Sequence, residues 1–508
     1  MSLTTPGCKP REEELQTSGA LEFSADTVKF DTVFTTLRTV TKRLWVYNRN
    51  PKGVNVDLVN LDQPTTSPYT LIINGDLKQT ATNLFIRGQD SLLILVRAKL
   101  NDNGLTGAAK AYVVAEKLNF RTNGQDQHVV LRSFGQNIYL HDGVQLPCNA
   151  VWTNDRPHVL YNSVVVPKGC ILRIKPGTRI YAHAGAALIV QGTLLVNSPA
   201  DYNPGTGATD TVKAGNATIV RFAGDRSGET QYATAPGQWL GILFDASSRG
   251  NVIRYAQIQN SSYGALLYNP NNLSTRPDLL LQNSVIRYIS GASANFAGAA
   301  TQLASYNLLG ISAGAGILSL SGKVTVENTL FSDCYEYAVL GYGGGEYNLN
   351  YCTVGNYAAT SAVRSTASLT FTNSSALDGK MHNPGLAVSV KNSVVWGTIE
   401  DELFLENYDE YKSAVAVQNT LLRTKLYAAT TDAAGKPGLA ATSLNNVVNS
   451  DPKFVRPYGG ASADYHLGPN SLGLNRSAQQ VPPFLDRDLL NLPRPAARPD
   501  LGAYQSTK

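Results

Sequence analysis

A short pattern recurs along the second half of the chain: Asn or Cys, then Ser or Thr, then apolar residues. It occurs as Asn283-Ser284-Val285-Ile286, Asn328-Thr329-Leu330-Phe331, Cys352-Thr353-Val354, Asn392-Ser393-Val394-Val395 and Asn419-Thr420-Leu421-Leu422, and Ala256-Gln257-Ile258 fits the same frame. With Ile258, Ile286, Phe331, Val354, Val395 and Leu422 as equivalents, the steps are 28, 45, 23, 41 and 27 residues. Repeats of this length belong to stacked architectures. A short step is one coil of a solenoid. A long step is either two coils or one coil with an insertion.

The local texture selects the kind of solenoid. Ile171–Ile174, Thr178–Tyr181, Ala187–Val190 and Leu194–Val196 are brief apolar runs, punctuated by Pro176-Gly177, Gly185 and Gly192. Such runs suit a chain that turns a corner every few residues. No 3.6-residue periodicity is present, which excludes helical repeats. Asn recurs at the expected corners, where it tolerates the left-handed backbone conformation and its amide can bond a stacked copy. A parallel β-helix over 137–455 follows. Each coil buries its apolar face only against neighbours, so its open ends need covering. The preceding domain is expected to cover the start. The Pro-rich segment 456–508, with Val481-Pro482-Pro483 and Pro499, is expected to wrap the end.

Residues 20–136 have a different period. Val54, Val56 and Leu58 alternate with Asn55 and Asp57, and Leu92, Ile94, Val96, Ala98 and Leu100 form one side of another run. Period 2 means strands with one buried face. Asn123-Gly124 is a strong hairpin signal, because both residues accept positive φ, and Asn74-Gly75 hints at a second turn. Strands at this spacing suit a seven-stranded sandwich. Residues 1–19 read as the remnant of a leader and tether.

Charged residues are 16% of the chain and apolar residues 43%, which excludes disorder. A net charge of +5, with no long block of one sign, argues against nucleic acid as a partner. No run of 18 apolar residues occurs, so any membrane contact would be through a lipid anchor. The cysteines at 8, 148, 170, 334 and 352 lack paired metal spacing. The last four stand in apolar, strand-like surroundings and are expected as buried free thiols, with a disulfide as the alternative. Gly7-Cys8, followed by Lys9-Pro10-Arg11-Glu12-Glu13-Glu14, resembles the lipidated cysteine of a bacterial lipoprotein, although Thr5-Pro6 departs from the usual lipobox. An ordinary disordered start is the alternative.

Asp31-Thr32-Val33-Phe34-Thr35, Val46-Tyr47-Asn48, Asp90-Ser91-Leu92 and Thr122-Asn123-Gly124 resemble the N-terminal immunoglobulin-like domain of a family of bacterial surface lipoproteins. Trp152-Thr153-Asn154-Asp155-Arg156-Pro157, Pro176-Gly177-Thr178, Pro236-Gly237-Gln238-Trp239 and Pro499-Asp500-Leu501-Gly502-Ala503-Tyr504 resemble that family's right-handed parallel β-helix of the pectin-lyase type. The resemblance implies an all-β fold: an immunoglobulin-like sandwich, then a right-handed parallel β-helix. It also implies export and lipid-anchored display at a bacterial outer-membrane surface. It implies no activity, because the family has none established.

The expected partner is extracellular polysaccharide, bound on a flank of the helix. Polysaccharide lyase or glycoside hydrolase activity and a structural or adhesive role are the alternatives. No catalytic set is evident: paired aspartates with Gly-His-Gly and an Arg-x-Pro-x-x-Arg element are both absent. Arg173-Ile174-Lys175 stands alone in an early coil, and neither His141-Asp142 nor His183 has a nucleophile beside it in sequence. The sugar-binding candidates are Tyr335, Tyr337, Tyr342, Tyr347 and Tyr351, interleaved with Asp333, Glu336 and Glu346. Aromatic faces stack on sugar rings while carboxylates bond hydroxyls. Tyr357 closes the cluster, and core packing is the alternative for some of these rings. Glu400-Asp401-Glu402 is the densest acidic segment. On a strand, Glu400 and Glu402 would share a face and could hold Ca²⁺ through hard oxygens, a solvated loop being the alternative. No other cofactor is indicated, and the oligomeric state is not legible.

Overall fold

The computed structural model describes residues 14–37, 39–104, 112–205, 212, 216–271, 274–291, 314–357, 364–374, 385–431, 438–458, 460–478 and 485–506. It divides into two compact units, Met1–Ile138 and Tyr139–Lys508.

The first unit has ten described strands: β1 (Glu22–Phe23), β2 (Thr27–Phe34), β3 (Lys42–Tyr47), β4 (Val54–Leu61), β5 (Tyr69–Ile73), β6 (Asp76–Leu77), β7 (Thr80–Ile86), β8 (Ser91–Ala98), β9 (Tyr112–Thr122) and β10 (Gln125–Gln136). They form two five-stranded sheets, ordered β1-β3-β8-β5-β6 and β2-β10-β9-β4-β7. Pairing is antiparallel except between β2 and β10. The expectation of seven strands falls short because two-residue strands such as β1 and β6 carry no period. Both turn signals hold. Asn123 and Gly124 join β9 to β10 with φ of 52° and 71°, and Asn74-Gly75 joins β5 to β6. The parity of β4 changes midway. A bulge between Val56 and Leu58 sends Val59 and Leu61 into the core with Val54 and Val56, leaving Leu58 at its margin. Leu92, Ile94, Val96, Ala98 and Leu100 are all buried.

The second unit is a parallel β-helix. Its coils form sheets of eleven, eight and nine described strands, each paired wholly in parallel, and Phe454–Arg456 pairs antiparallel with Asp464–Leu467 in a separate two-stranded sheet. The chain visits them in turn: Arg179–Ala182 lies in the eleven-stranded sheet, Ala187–Val190 in the eight-stranded and Thr193–Val196 in the nine-stranded. The repeat positions are in register at every step. Ile258 pairs with Ile286, Ile286 with Phe331, Phe331 with Val354, Val354 with Val395 and Val395 with Leu422. The long steps are therefore single coils with insertions.

The motif's residues have distinct tasks. Tyr255, Asn283, Asn328, Tyr351, Asn392 and Asn419 all have φ between 44° and 52°, forming the sharp corner from the nine- to the eleven-stranded sheet. The next residue turns its side chain back: Ser284, Thr329, Ser393 and Thr420 each donate a hydroxyl to the carbonyl two positions earlier. Cys352 holds this second place and Tyr351 the first, which shifts the expected alignment of that coil by one residue. Successive coils are also laced together there, since Ser284 Oγ accepts from the Ala256 amide and Ser393 Oγ from the Cys352 amide. Hydroxyls are selected because the corner leaves polar backbone groups inside, where an unpaired one is costly.

Cys148 and Cys170 form a disulfide, with Cα atoms 4.7 Å apart, correcting the expectation of free thiols. Their separation of 22 residues is one coil, so they meet at stacked corners, and Cys148 lies in an exposed turn rather than a strand. Cys334 and Cys352 are free and buried.

The described residues of the tail, expected to wrap the end, lie along the side of the coils instead. Phe454, Tyr465, Leu467, Leu489, Leu501 and Ala503 pack on the outer face of the eleven-stranded sheet, against Leu330, Val394, Leu421 and Val447. Gly355 makes this possible, because a Cβ there would lie 2.4 Å from the Tyr465 ring. Corner asparagines bind the tail: Asn328 accepts from Arg494 at 2.7 Å, and Asn392 Oδ1 from the Ala478 amide at 2.9 Å. Val481-Pro482-Pro483 lies outside the described residues. At the last coils the core is continued by Tyr411 and Leu439, with Tyr408, Tyr427 and Leu444 packed against it. No helix among the described residues is long and apolar enough to cross a membrane.

Candidate functional site

The stretch from Asp333 to Tyr351 winds through most of one coil, so its side chains point in different directions. Tyr337 and Tyr342 are half-buried and pack against the apolar outer face of the eight-stranded sheet, with Leu318, Leu320 and Leu340. Tyr335 and Glu336 are half-buried at the corner before that strand, where the Glu336 carboxylate accepts from the Gly314 amide. Burial pushes that carboxyl up to about 7 and also raises Asp333. Glu346 is exposed on the nine-stranded sheet, 3.6 Å from Arg276 and 3.7 Å from Lys323. Tyr347 is inside the helix and donates to the Gly344 carbonyl. Tyr351 lies beneath the tail, bonded to Ser477 and covered by the Arg494 guanidinium at 4.3 Å. Tyr347 and Tyr351 therefore present no ring face to a ligand. Tyr357 is buried too, edge-on to Tyr458.

The acidic segment does not bring Glu400 and Glu402 to a common face. Residues 400–402 precede the strand Leu403–Leu405 rather than lying on one. Glu400 is exposed and paired with Lys425 at 3.2 Å, whereas Glu402 is fully buried and paired with Arg364 at 2.9 Å. The two carboxylates are committed to different partners. Among the described residues, no three His, Cys, Asp or Glu side chains converge as a metal-binding group. Cys8, the expected lipidation site, lies outside the described residues.

Other motif residues are also accounted for. Arg173 and Lys175 both bind Asp201, at 3.0 and 2.6 Å, and this network holds the Asp201 carboxyl at about 2 despite its burial. His141 bonds His158 at 2.9 Å rather than Asp142, and both imidazoles stack with Trp152 inside the first coil. Burial lowers His141 to about 4 and His158 to about 3.

A more coherent polar surface lies where the sequence offered no cluster, on the outer face of the eleven-stranded sheet ahead of the tail. Outward positions stack in columns. Arg179 pairs in register with Arg221, Arg221 with Gln257, and Gln259 with Arg287. Tyr181 shares the strand and face of Arg179. The rungs from Arg179 to Arg287 span about 14 Å at the usual strand spacing. Arg221 donates to the carbonyls of Ile219 and Asn216, which fixes it beside the insertion that precedes its strand. Burial, with the charges of Arg179 and Arg287 nearby, lowers its pKa. Arg287 bonds Gln259 at 3.2 Å and lies over the Tyr288 ring. At the tail end, the Tyr504 ring lies tilted against His466 at 4.5 Å and feels the Arg287 charge.

At the corner toward the eight-stranded sheet, His183 Nδ1 is 2.6 Å from Asp225, and its ring stacks on Tyr161 at 4.3 Å. The His183 side chain keeps 39% exposure. The following insertion holds Arg226, which pairs with Glu229 at 2.8 Å and covers the Tyr232 ring at 3.7 Å. The face thus joins guanidinium groups for anionic oxygens, amides for hydroxyls, aromatic rings, and a carboxylate-oriented imidazole. One signal was available in sequence: Arg179-Ile180-Tyr181 alternates polar positions with an apolar one. Only register places the arginines together.

Fold and surface together define a two-unit all-β protein in which a parallel β-helix carries a basic, hydrogen-bonding face on one flank. No family model matches the chain, and no curated protein matches it. Among solved structures the chain is similar to the ASH/PapD-like domain of human CEP192 (PapD-like domain 7), at 12% identity and a TM-score of 0.17, over 27% of this chain and 97% of that one. It is also similar to a family 123 glycoside hydrolase from Clostridium perfringens, at 9% identity and a TM-score of 0.17, over 26% of this chain and 30% of that one. This chain therefore spans under a third of that hydrolase's length. Likenesses at these scores carry no argument about function.

Proposed function

We propose that the protein binds an extended, acidic polysaccharide along the outer face of the eleven-stranded sheet. The observation that supports this most is a set of cationic and amide groups in two neighbouring columns of the sheet, Arg179, Arg221 and Gln257 in one and Gln259 and Arg287 in the other. Guanidinium recognises carboxylate and sulfate in a planar, bidentate manner, and amides bond sugar hydroxyls. In this reading the chain is exported and held at a bacterial outer-membrane surface by a lipid on Cys8, supported by the Gly7-Cys8 sequence and by the resemblance to surface lipoproteins. Binding to a panel of acidic and neutral glycans tests the proposal. Acidic glycans should bind wild type and bind Arg287→Ala more weakly. Absence of binding across the panel would leave the structural or adhesive role as the better account.

A second reading, polysaccharide lyase, is favoured by one feature, the His183–Asp225 pair at the edge of the same face. An imidazole oriented by a carboxylate can act as a general base, taking the proton α to a uronate carboxylate whose charge an arginine offsets; a C=C bond forms, the β C–O bond to the neighbouring sugar breaks, and the departing oxygen takes a proton from water. Appearance of the unsaturated product's ultraviolet absorbance, abolished by His183→Ala, would establish it.

A further inference from the structure

The outward column that carries Arg287 runs on beneath the tail. Gln259, Arg287, Ser332 and Gly355 are successive partners in it. The Tyr465 ring lies against Gly355, where a Cβ would come within 2.4 Å of it. The tail strand Asp464–Leu467 therefore stands over this column two rungs beyond Arg287, about 10 Å away at the usual strand spacing. Tyr465 and Leu467 pack on the sheet, and Asp464 and His466 alternate with them on the strand's other side.

These two residues form a second carboxylate-oriented imidazole. His466 Nδ1 lies 2.6 Å from Asp464 Oδ1, which also accepts the His466 amide at 3.0 Å. The His466 side chain keeps 25% exposure and that of Asp464 35%. Among the described residues nothing bonds His466 Nε2. The neighbouring Tyr504 ring feels the charges of Asp488, Asp464 and Arg287, so it links the pair to the arginine. Arg456, on the other strand of the tail hairpin, acts on Asp464, and Asp333 acts on Tyr465 from the sheet. Burial opposes ionisation of Asp464, but bonds from the His466 amide and imidazole hold its carboxyl below the usual range. It is therefore charged wherever imidazole titrates, between about pH 5 and 8. With a neutral imidazole the pair carries one net negative charge at the end of the arginine face. With a protonated imidazole it carries none.

We propose that the His466–Asp464 pair makes acidic-glycan binding on this face depend on a proton, tightening it as pH falls. The inference rests on the reading of this face as a glycan site and adds its regulation. Removing one negative charge about 10 Å from a bound anion, in largely aqueous surroundings, is worth about threefold in affinity. The His183–Asp225 pair at the face's other edge responds in the same pH range, so the contribution of His466 is read from variants rather than from wild type alone.

Calorimetric titration with dextran sulfate, whose sulfate esters stay charged throughout, tests this at low salt. From about pH 8 to pH 5, the affinity of wild type relative to His466→Gln should rise about threefold. At about pH 8, Asp464→Asn should bind about threefold more tightly than wild type. By reciprocity, dextran sulfate should raise the titration midpoint of the His466 imidazole resonances in wild type by about half a pH unit. That measurement needs no variant, so the test holds even if His466→Gln loosens the tail, which a thermal melt would reveal. A pH-independent ratio in a folded variant overturns the proposal, as does an unmoved midpoint or weaker binding by Asp464→Asn. In those cases dextran sulfate still binds and Arg287→Ala still weakens it, so the glycan reading stands. No binding of dextran sulfate or polygalacturonate at any pH removes that reading and this proposal with it.

Discussion

Replacing Glu402 by Gln separates a structural carboxylate from a cation ligand. The Arg364 and Glu402 side chains are both 0% exposed. The carboxylate accepts two guanidinium bonds of 2.9 Å, the Ser368 hydroxyl at 2.5 Å and amide at 3.2 Å, and the Ile399 amide at 3.3 Å. Gln keeps the shape, but it turns an NH₂ toward donors and removes the only charge opposite Arg364 in that ion pair. Breaking a buried pair on one side costs about 3–5 kcal/mol, because the other charge stays buried. Glu402→Leu should fall at the upper end, since it also strands the Ser368 and Ile399 donors. The double variant Arg364→Met/Glu402→Leu should recover much of the loss, the removal of both charges being far cheaper. Urea denaturation followed by circular dichroism measures the global effect. Hydrogen exchange should show lost protection around Ser368–Phe371 and Leu403–Leu405 before other coils respond. A cost below about 1 kcal/mol for Glu402→Gln would refute the reasoning. So would a Ca²⁺-induced stabilisation of wild type that disappears in this variant.

Other outcomes follow from the same structure. Cys148→Ser/Cys170→Ser should destabilise the β-helix by about 3 kcal/mol, the loop-closure estimate for a 22-residue loop; an unchanged melting temperature with and without reductant would contradict this. His141 and His158 are depressed to about 4 and 3, so an unfolded chain takes up their protons near 6.5 while the folded one does not. Their contribution is complete above about pH 6.5 and is lost as pH falls toward 4 and 3; His158→Phe should flatten that acid limb in a pH series of melts, and an unaltered limb counts against it. Arg287→Ala should weaken acidic-glycan binding about tenfold and reduce its salt dependence, whereas Tyr347→Phe should leave affinity unchanged because that ring is internal. Calorimetric titration at two salt concentrations distinguishes the two variants.

Much of the architecture is legible in the order of the residues. The β-helix announces itself through Asn-Ser/Thr corners, and six equivalent positions chosen from sequence pair in unbroken register. The site is far less legible. Tyr335 to Tyr351 look like one cluster in sequence, yet one coil consumes about that many residues and sends Tyr347 inward, Tyr342 onto one sheet and Glu346 onto another. Conversely, Arg179, Arg221 and Arg287 are far apart in sequence and neighbours in space.

What the sequence alone determined about this protein is therefore local and periodic: strand length, corner chemistry, turn types and the equivalence of successive coils. Those depend on backbone conformations that Asn, Gly and β-branched residues impose within a few positions. The tertiary structure decided which corners stack into a disulfide, where the tail lies, and which polar side chains share a face. Such matters depend on insertion lengths and on contacts between residues a coil or more apart, for which a single chain carries no short-range signal.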